Sequence, residues 1–345
     1  LSDNEYIIRM KRVLVVIAII LVILGGIYYL YSGLEKRTIK IFSAGSLSKP
    51  LNEFSLLYED TYGVKVNIEY SGSVDAIRKI IDAGKHADII AVADYSLLYE
   101  MLYPKHIKWY IGFAVNEMVI AYTNSSKYSN LIREYPEEWI QILLRDDVKY
   151  GFSDPNKDPC GYRAIGVVAL ISLISGNSSI LDHLLLSGTN IEYQATGDQV
   201  ILRIPYDFKV YTDNIIVRPK SIELISLLES GSIDYAFEYK SVAVQHNLNY
   251  IELPSEINLG DPSKEDVYNN VKIILMFGSE SEEEITLGSI IYGISILKSS
   301  SNYGEAIEFI KMLLSNMGKE IFRRHGHKIL DNPLYFGEVP DELRF

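Results

Sequence analysis

The sequence is poor in cysteine and histidine. Cys160 is the only cysteine among 345 residues, which excludes an intramolecular disulfide, a cysteine-based zinc site and a lipid-bearing cysteine near the N-terminus. The six histidines are scattered, and none has a spacing that pairs it with the serines and aspartates singled out below. His325 and His327 are better explained as the polar end of a helix than as metal ligands. We therefore expect a protein that is not an enzyme.

Basic residues are also too few to offset the acidic ones. The chain has 33 Lys and Arg against 45 Asp and Glu, for a formal net charge of -12. This balance argues against nucleic acid or anionic lipid as the main partner, because no basic face is available to offset phosphates. A small anion stays possible, since backbone N–H and hydroxyl dipoles act at contact distance. A composition that is 48% hydrophobic and 23% charged is globular, and the length favours two domains.

Charged residues are absent from Val13 to Leu34, a stretch that follows Lys11-Arg12 and precedes Glu35-Lys36-Arg37. Such a run is long enough to cross a bilayer, and the preceding basic pair favours an N-terminus that stays inside the cell. Residues 1–37 are thus predicted to form a cytoplasmic stub and a membrane helix, with the rest of the chain outside. The alternative is a cleaved signal and a secreted protein, although Ile27 to Tyr31 is bulkier than a cleavage site.

After residue 37, short strands alternate with helices. This βαβ order predicts an α/β protein with two doubly wound, mostly parallel sheets. The order starts again after about residue 124, which predicts lobe 1 at 38–122, lobe 2 at 123–289 and a return to lobe 1 at 290–345. Strands near residues 120 and 293 would cross between the lobes, and a ligand would lie in the cleft. Residues 190–217 suggest a hairpin around Ala195 to Gln199, and residues 254–284 look like loop apart from Val271 to Phe277.

Small and hydroxyl residues recur where a strand meets a helix. The segments are Ser43-Ala44-Gly45-Ser46-Leu47-Ser48, Ser71-Gly72-Ser73, Asp158-Pro159-Cys160-Gly161 and Pro219-Lys220-Ser221. A helix N-terminus leaves N–H groups unpaired and carries the positive end of the dipole, and glycine lets a ligand approach the backbone. Because ligands of open α/β sheets gather at the carboxyl ends of strands, the segments are predicted to converge on one oxyanion.

The third segment has an unusual feature, since it carries carboxylates rather than lysines. Asp154-Pro155 and Asp158-Pro159 keep the chain out of the helical conformation until about Cys160. In the first turn of the following helix Cys160 would have a lowered pKa, but no histidine is placed beside it by the sequence. We interpret Cys160 as a backbone donor.

These segments, together with several others, resemble the archaeal molybdate/tungstate-binding proteins of ABC transporters. The resemblance extends from about residue 38 to 330. It is carried by Phe42-Ser43-Ala44-Gly45-Ser46-Leu47, Tyr70-Ser71-Gly72-Ser73-Val74, Ala87-Asp88, Ala93-Asp94-Tyr95, Asn116 to Asn124, Asp154 to Arg163, Val217-Arg218-Pro219-Lys220, Asp234-Tyr235-Ala236-Phe237 and Tyr239-Lys240-Ser241.

The resemblance implies a type II periplasmic-binding-protein fold that captures molybdate or tungstate, needs no other cofactor and delivers the anion to an ABC permease; a monomer is expected. In that family backbone N–H and hydroxyl groups hold the anion, and two carboxylates approach the metal. Carried over, the anion-holding residues are Gly45, Ser46, Ser73, Asp158, Pro159 and Cys160, with Tyr239 as a further donor.

One position departs from the family. Asp158 provides the first carboxylate, whereas Ser221 aligns with the second. Either Glu223, two residues further on, serves instead, or Asp158 acts with the Ser221 hydroxyl or a water. The alternative function is a binding protein or membrane-tethered sensor for another oxyanion, such as sulfate or phosphate.

Overall fold

The computed structural model describes residues 16–17, 19–24 and 37–344. The strands are β1 Thr38–Ala44, β2 Lys65–Ser71, β3 Ile89–Val92, β4 Trp109–Val115, β5 Met118–Tyr122, β6 Tyr150–Ser153, β7 Glu192–Thr196, β8 Gln199–Pro205, β9 Ile215–Arg218, β10 Tyr235–Tyr239, β11 Asn249–Glu252, β12 Val271–Phe277, β13 Glu283–Thr286, β14 Ile291–Ile296 and β15 Lys328–Gly337. The α-helices are Ser48–Tyr62, Ser73–Ile81, Ser96–Met101, Ser129–Glu134, Trp139–Leu143, Pro159–Ser175, Ser178–Leu181, Ile222–Glu229, Lys240–Gln245, Glu265–Tyr268, Tyr303–Leu314 and Asn316–Arg324.

The first lobe is built on a six-stranded sheet with the order β15-β4-β14-β3-β1-β2. β1 lies parallel to both β2 and β3, whereas β14 and β4 run antiparallel to their neighbours. Phe54, Phe309 and Phe322 from three helices are buried against one face, and Ile77 and Leu98 from two others are buried against the opposite face. Helices thus cover both sides of the sheet, as predicted. The prediction of mostly parallel strands is wrong for this sheet, because three of its five neighbouring pairs are antiparallel.

The second lobe contains a five-stranded sheet with the order β11-β5-β10-β6-β9. β6 lies parallel to β9 and β10, and β5 runs antiparallel to β10 and β11. The apolar helix Pro159–Ser175 is buried on one face, and Leu224 and Ala243 from two shorter helices pack on the other.

The second lobe also contains a four-stranded sheet, β13-β12-β8-β7, that was not predicted. The hairpin expected around Ala195 to Gln199 is confirmed as β7 and β8, but β12 was treated as an isolated strand within a loop. β12 pairs in parallel with β8, and Leu202 and Ile273 bury their side chains in the same core as Leu170. The expectation of two sheets was wrong because this pairing joins segments about seventy residues apart.

The chain passes between the lobes twice, through Asn116-Glu117 and through residues 287–290. The boundary predicted at residue 122 falls too late, because Met118–Tyr122 pairs in the five-stranded sheet of the second lobe. The fully buried strand Trp109–Val115 is the last one of lobe 1 before the first crossing. This strand was not predicted.

Most of the predicted membrane segment, residues 13–34, lies outside the described residues. Within this segment the structure describes residues 16–17 and 19–24, and these are helical. Within the described part of the chain, no helix has both the length and the apolar character needed to cross a bilayer.

Candidate functional site

The first lobe brings its small and hydroxyl residues to one edge of its sheet. β1 and β2 are paired in register up to their last residues, so Gly45 and Ser46 lie beside the loop from Ser71 to Ser73. The Ser73 hydroxyl accepts a hydrogen bond of 3.0 Å from the N–H of Ala93, just after β3. Its own proton is therefore available for donation to another group.

The second lobe places its predicted residues at the corresponding edge. β9, β6 and β10 are parallel neighbours, so the segments that follow their carboxyl ends lie side by side. Asp158 follows β6, Ser221 follows β9 and Tyr239 is the last residue of β10. This arrangement matches the position at which open α/β sheets bind ligands.

Helices begin at both edges, and most of these beginnings lack a side-chain cap. Gly72, Ser221 and Tyr239 each precede a helix, and none of them forms a capping hydrogen bond through its side chain. Asp158 is the exception, because its carboxylate caps the helix Pro159–Ser175. The positive ends of these helix dipoles favour an anion, while the N–H groups of Lys240 and Ser241 are already bonded to the Glu117 carbonyl oxygen and to Oδ1 of Asn116.

Asp158 joins two of these helix beginnings. Its Oδ1 accepts a hydrogen bond of 3.1 Å from the N–H of Cys160, and its Oδ2 accepts one of 2.6 Å from the N–H of Ser221. Pro159, which lies between Asp158 and Cys160 in the sequence, has no N–H to donate. An anion that approaches these N–H groups must therefore meet the Asp158 carboxylate.

Gly161 allows this helix to begin so close to the sheet. A Cβ at this position would lie 2.2 Å from the carbonyl oxygen of Ser153, the last residue of β6. Any other residue would push the first turn, and Asp158 with it, away from the strand.

Cys160 is fully buried, and its Sγ lies 3.6 Å from Oε1 of Glu238. Burial raises the pKa of the Cys160 thiol well above its usual range, and the nearby Glu238 and Asp158 carboxylates add to the rise. A nucleophile needs the opposite shift, so the chemistry of this thiol agrees with a structural role for the side chain.

Glu238 is a residue of the site region that the sequence analysis missed. It is fully buried at the end of β10, where its Oε1 accepts a hydrogen bond of 2.8 Å from the N–H of Tyr239. Burial raises the pKa of Glu238 to about 7, with a further contribution from Asp158, while the Tyr239 N–H and the Ser221 hydroxyl act in the opposite direction. A glutamate inside the apolar run from Tyr235 to Tyr239 was the signal that could have identified it.

Arg163, in the second turn of the helix Pro159–Ser175, contacts the predicted site residue Tyr239. Its Nη1 donates a hydrogen bond of 2.6 Å to the Tyr239 hydroxyl, and the guanidinium lies 5.4 Å from the ring centre of Tyr162. Burial alone would lower the pKa of Arg163, but Tyr239, Tyr162 and Asp94 of the first lobe hold it above its usual value. Within residues 37–344, no ion pair joins Arg163 to a carboxylate, so this positive charge is open to an anionic ligand.

Tyr292 and Asn116, one beside each interlobe crossing, connect the two edges. Nδ2 of Asn116 donates to the Tyr292 hydroxyl at 3.2 Å and to the Ser241 hydroxyl at 2.8 Å. Burial raises the pKa of Tyr292, and hydrogen bonding to Ser46 and Asn116 opposes the rise. The network therefore extends from Ser46 in the first lobe to Ser241 in the second.

Glu223, the alternative for the second carboxylate, lies apart from this cluster. It is exposed in the first turn of the helix Ile222–Glu229, and its backbone N–H bonds to the carbonyl oxygen of Lys220 at 3.1 Å. No hydrogen bond or ion pair links its carboxylate to another residue between 37 and 344. Ser221, in contrast, is buried against both Asp158 and Glu238.

Known proteins are similar to this chain in both sequence and fold. Residues 39–328 match the family described as bacterial extracellular solute-binding proteins. An uncharacterized solute-binding protein of Staphylothermus marinus is 48% identical over 342 residues, which cover 98% of this chain and 97% of the relative. The molybdate/tungstate-binding protein WtpA of Thermococcus kodakarensis is 46% identical over 316 residues, which cover 90% of this chain and 87% of the relative.

A solved structure gives the same picture for the fold. The substrate-binding domain assigned to a molybdenum ABC transporter of Clostridium difficile superposes with a TM-score of 0.58 at 17% identity, covering 86% of this chain and 100% of that one. At this identity the similarity concerns the fold alone. The chain belongs to the bacterial extracellular solute-binding protein family, whose members bind solutes and are not enzymes.

Proposed function

We propose that this chain captures molybdate or tungstate outside the cytoplasm, in the cleft between its lobes, and delivers the anion to an ABC permease. The observation that carries the proposal is the Asp158 carboxylate, which stands where two helix N-termini meet. The similarity to a relative named for molybdate and tungstate binding supports it.

The argument from Asp158 is electrostatic. A carboxylate close to a dianion in a partly desolvated cleft costs several kcal/mol at an effective dielectric constant of about 20, unless it meets a positive centre. Molybdenum and tungsten can accept further oxygen ligands, whereas sulfur and phosphorus in their oxyanions cannot. Asp158 therefore favours the metal oxyanions, and the alternative of a sulfate- or phosphate-binding protein is less consistent with this residue.

The donors are divided between the lobes. Ser46 and Ser73 belong to the first lobe, and Asp158 and Tyr239 to the second, so a ligand that contacts all of them favours a closed arrangement. One chain supplies both halves of the cleft, which is consistent with a monomer. Small-angle scattering should show a smaller radius of gyration with saturating tungstate, and an unchanged radius would contradict closure.

The N-terminal segment is proposed to hold the protein at the membrane, with the binding lobes outside. The uncharged run from Val13 to Leu34 supports a helical anchor. Tethering would raise the local concentration of the protein at its permease. Mass spectrometry of protein from native membranes should find this segment intact, whereas a mature terminus near residue 33 to 38 would indicate secretion.

The direct test is titration calorimetry of the full chain with molybdate, tungstate, sulfate and phosphate. Binding of either metal oxyanion at least about a hundredfold tighter than sulfate, a difference of about 2.7 kcal/mol, is expected. If neither metal oxyanion gives a binding signal, the proposed function is wrong. Binding of sulfate or phosphate alone would identify the alternative function.

A further inference from the structure

The helix Lys240–Gln245 of the second lobe rests directly on the first lobe at Gly326. A Cβ on Gly326 would lie 2.7 Å from Cα of Ser241 and 2.8 Å from the carbonyl oxygen of Lys240. Only a glycine lets the two backbones come this close. The lobes therefore touch through a surface that contains none of the predicted anion donors.

Two hydrogen bonds between the lobes lie at the far end of this helix. Nζ of Lys49 in the first lobe donates to the carbonyl oxygen of Gln245 at 2.9 Å, and Nε2 of Gln245 donates to the carbonyl oxygen of His325 at 3.2 Å. The last carbonyl groups of a helix have no partner within it, and lysine side chains can bond to them. We call Lys49, Gln245 and His325 the lobe latch.

The first lobe holds its own side of the lobe latch in place. Glu53 lies one turn after Lys49 in the helix Ser48–Tyr62, so both residues are on the same face of that helix. Oε2 of Glu53 lies 2.7 Å from Nε2 of His325, and its Oε1 lies 2.6 Å from Nη2 of Arg324. The carbonyl group that accepts from Gln245 is therefore fixed relative to Lys49.

Both helices of the lobe latch begin at residues of the candidate site. The helix Ser48–Tyr62 follows Gly45-Ser46-Leu47, and the helix Lys240–Gln245 follows Tyr239. A contact between these two helices therefore sets the spacing of Ser46 and Tyr239 across the cleft. An interaction that forms only in the arrangement competent to bind a ligand stabilises that arrangement, and so raises the affinity for the ligand.

We propose that Lys49 is a positioning residue for anion binding, which acts with Gln245 and His325 to hold the lobes at the spacing that lets donors of both lobes reach one anion. Lys49 does this without touching the anion. This inference rests on the proposed function. Because the lobe latch takes no part in recognising a particular anion, its loss should lower the affinity for every bound anion by the same factor.

The test is calorimetric titration of the full chain with tungstate and molybdate, as wild type, Lys49→Met, Gln245→Ala and Lys298→Met. Lys298 is the matched control, because its Nζ also donates to a backbone carbonyl, that of Pro104, but within the first lobe. Lys49→Met and Gln245→Ala should each weaken the binding of both anions by roughly threefold to tenfold, the range expected for one hydrogen bond. Lys298→Met should change it by less than about twofold. Gln245→Ala leaves the net charge unchanged, so its loss of affinity cannot come from long-range attraction.

Gly326→Ala tests the same contact by forcing the lobes apart. Gly63→Ala is its control, because Gly63 also has a positive φ, 66° against 77° for Gly326, but no atom lies within 4 Å of an added Cβ. The two substitutions therefore share the backbone strain and differ in the clash between the lobes. With saturating tungstate, small-angle scattering should give a larger radius of gyration for Gly326→Ala than for Gly63→Ala.

The other outcomes overturn the inference in different ways. Unchanged affinities of Lys49→Met and Gln245→Ala overturn it whether or not Gly326→Ala folds, and so do equal radii for the two glycine variants. A loss that Lys49→Met shares with Lys298→Met but not with Gln245→Ala assigns the effect to net charge. A loss in Lys49→Met that differs between the two anions assigns Lys49 to direct contact. Failure of the wild type to bind either metal oxyanion rejects the proposed function instead.

Discussion

The hydroxyl of Tyr239 accepts a hydrogen bond of 2.6 Å from Nη1 of Arg163. A tyrosine hydroxyl has one proton, and when a guanidinium occupies a lone pair that proton is left for another acceptor. Arg163 therefore acts as a positioning residue that holds Tyr239 as a donor toward the cleft. It also adds a positive charge that no described carboxylate neutralises through an ion pair.

This pair predicts coupled losses of affinity. Arg163→Gln and Tyr239→Phe should each weaken tungstate binding by roughly tenfold, about the value of one charge-assisted hydrogen bond. The double variant should lose clearly less binding free energy than the sum of the losses in the two single variants, because both changes remove the same oriented donor. Calorimetric titration of the four proteins measures the coupling, with Arg323→Gln on an exposed helix as control. Strictly additive losses would show that Arg163 acts by charge alone.

Asp158→Asn tests the selectivity argument. Asparagine keeps one acceptor for a backbone N–H of Cys160 or Ser221 but removes the negative charge. We expect most of the tungstate affinity to be lost while sulfate affinity is retained or rises, so that the selectivity ratio falls. Competition titrations with both anions measure that ratio. If sulfate affinity falls in parallel with tungstate affinity, Asp158 only holds the loop.

Glu238 should make the stability of the unliganded protein depend on pH. Its pKa is raised from an ordinary value of 4.5 to about 7 in the folded state, so folding favours the protonated form. The resulting contribution of Glu238 to the free energy of unfolding is present below about pH 4.5 and is lost as the pH rises through 7. The change is roughly 3 kcal/mol. Glu238→Gln should therefore gain stability relative to the wild type between pH 5 and 8 in urea unfolding. Parallel curves for the two proteins would show that Glu238 titrates normally; exposed Glu229→Gln is the control.

His327 predicts the opposite dependence. It was expected at a polar helix end, but it is buried between the rings of Tyr292 and Phe322, and burial lowers its pKa to about 3. The contribution of neutral His327 to the free energy of unfolding is present above about pH 6.5 and is lost as the pH falls toward 3. The loss is roughly 3 kcal/mol at pH 4.

His327→Phe should therefore resist acid unfolding better than the wild type. It also removes two ring nitrogens that have no hydrogen-bond partner among the described residues. A cavity of about 240 Å³ beside His327 leaves space for the larger ring. Thermal unfolding at pH 4 and pH 7 measures the difference, with exposed His183→Gln as control. A difference that is the same at both pH values would exclude titration as its cause.

Local sequence predicted the loops of the site better than it predicted the sheets. Glycine, proline and serine at strand ends act through the backbone of their own segment, so Gly45, Ser73 and the Asp158 loop were placed correctly at strand-to-helix junctions. The strands Trp109–Val115 and Lys328–Gly337 were not predicted, because they pair with each other across about 220 residues of sequence. The two last helices, Tyr303–Leu314 and Asn316–Arg324, are separated at Ser315, whose side chain caps the second helix by accepting the Met317 N–H.

Charged residues of the site were harder to recognise for a related reason. Arg163 and Glu238 look like an ordinary helix residue and an ordinary strand residue in sequence, and their neighbours Tyr239 and Ser221 come from distant segments. Only the fold shows that Arg163 bonds to a tyrosine and that Glu238 is buried with one oxygen that accepts no hydrogen bond from the described residues.

The burial of Cys160 has a practical consequence. The chain's one thiol is inaccessible to solvent and has a raised pKa, so alkylating dyes should leave the native protein unmodified. A cysteine introduced at exposed Asp75 in the first lobe or at exposed Lys220 in the second would then be the only reactive position. A fluorophore attached there would report the movement of the lobes, which makes this protein a scaffold for an optical sensor of its anion without removal of the native cysteine.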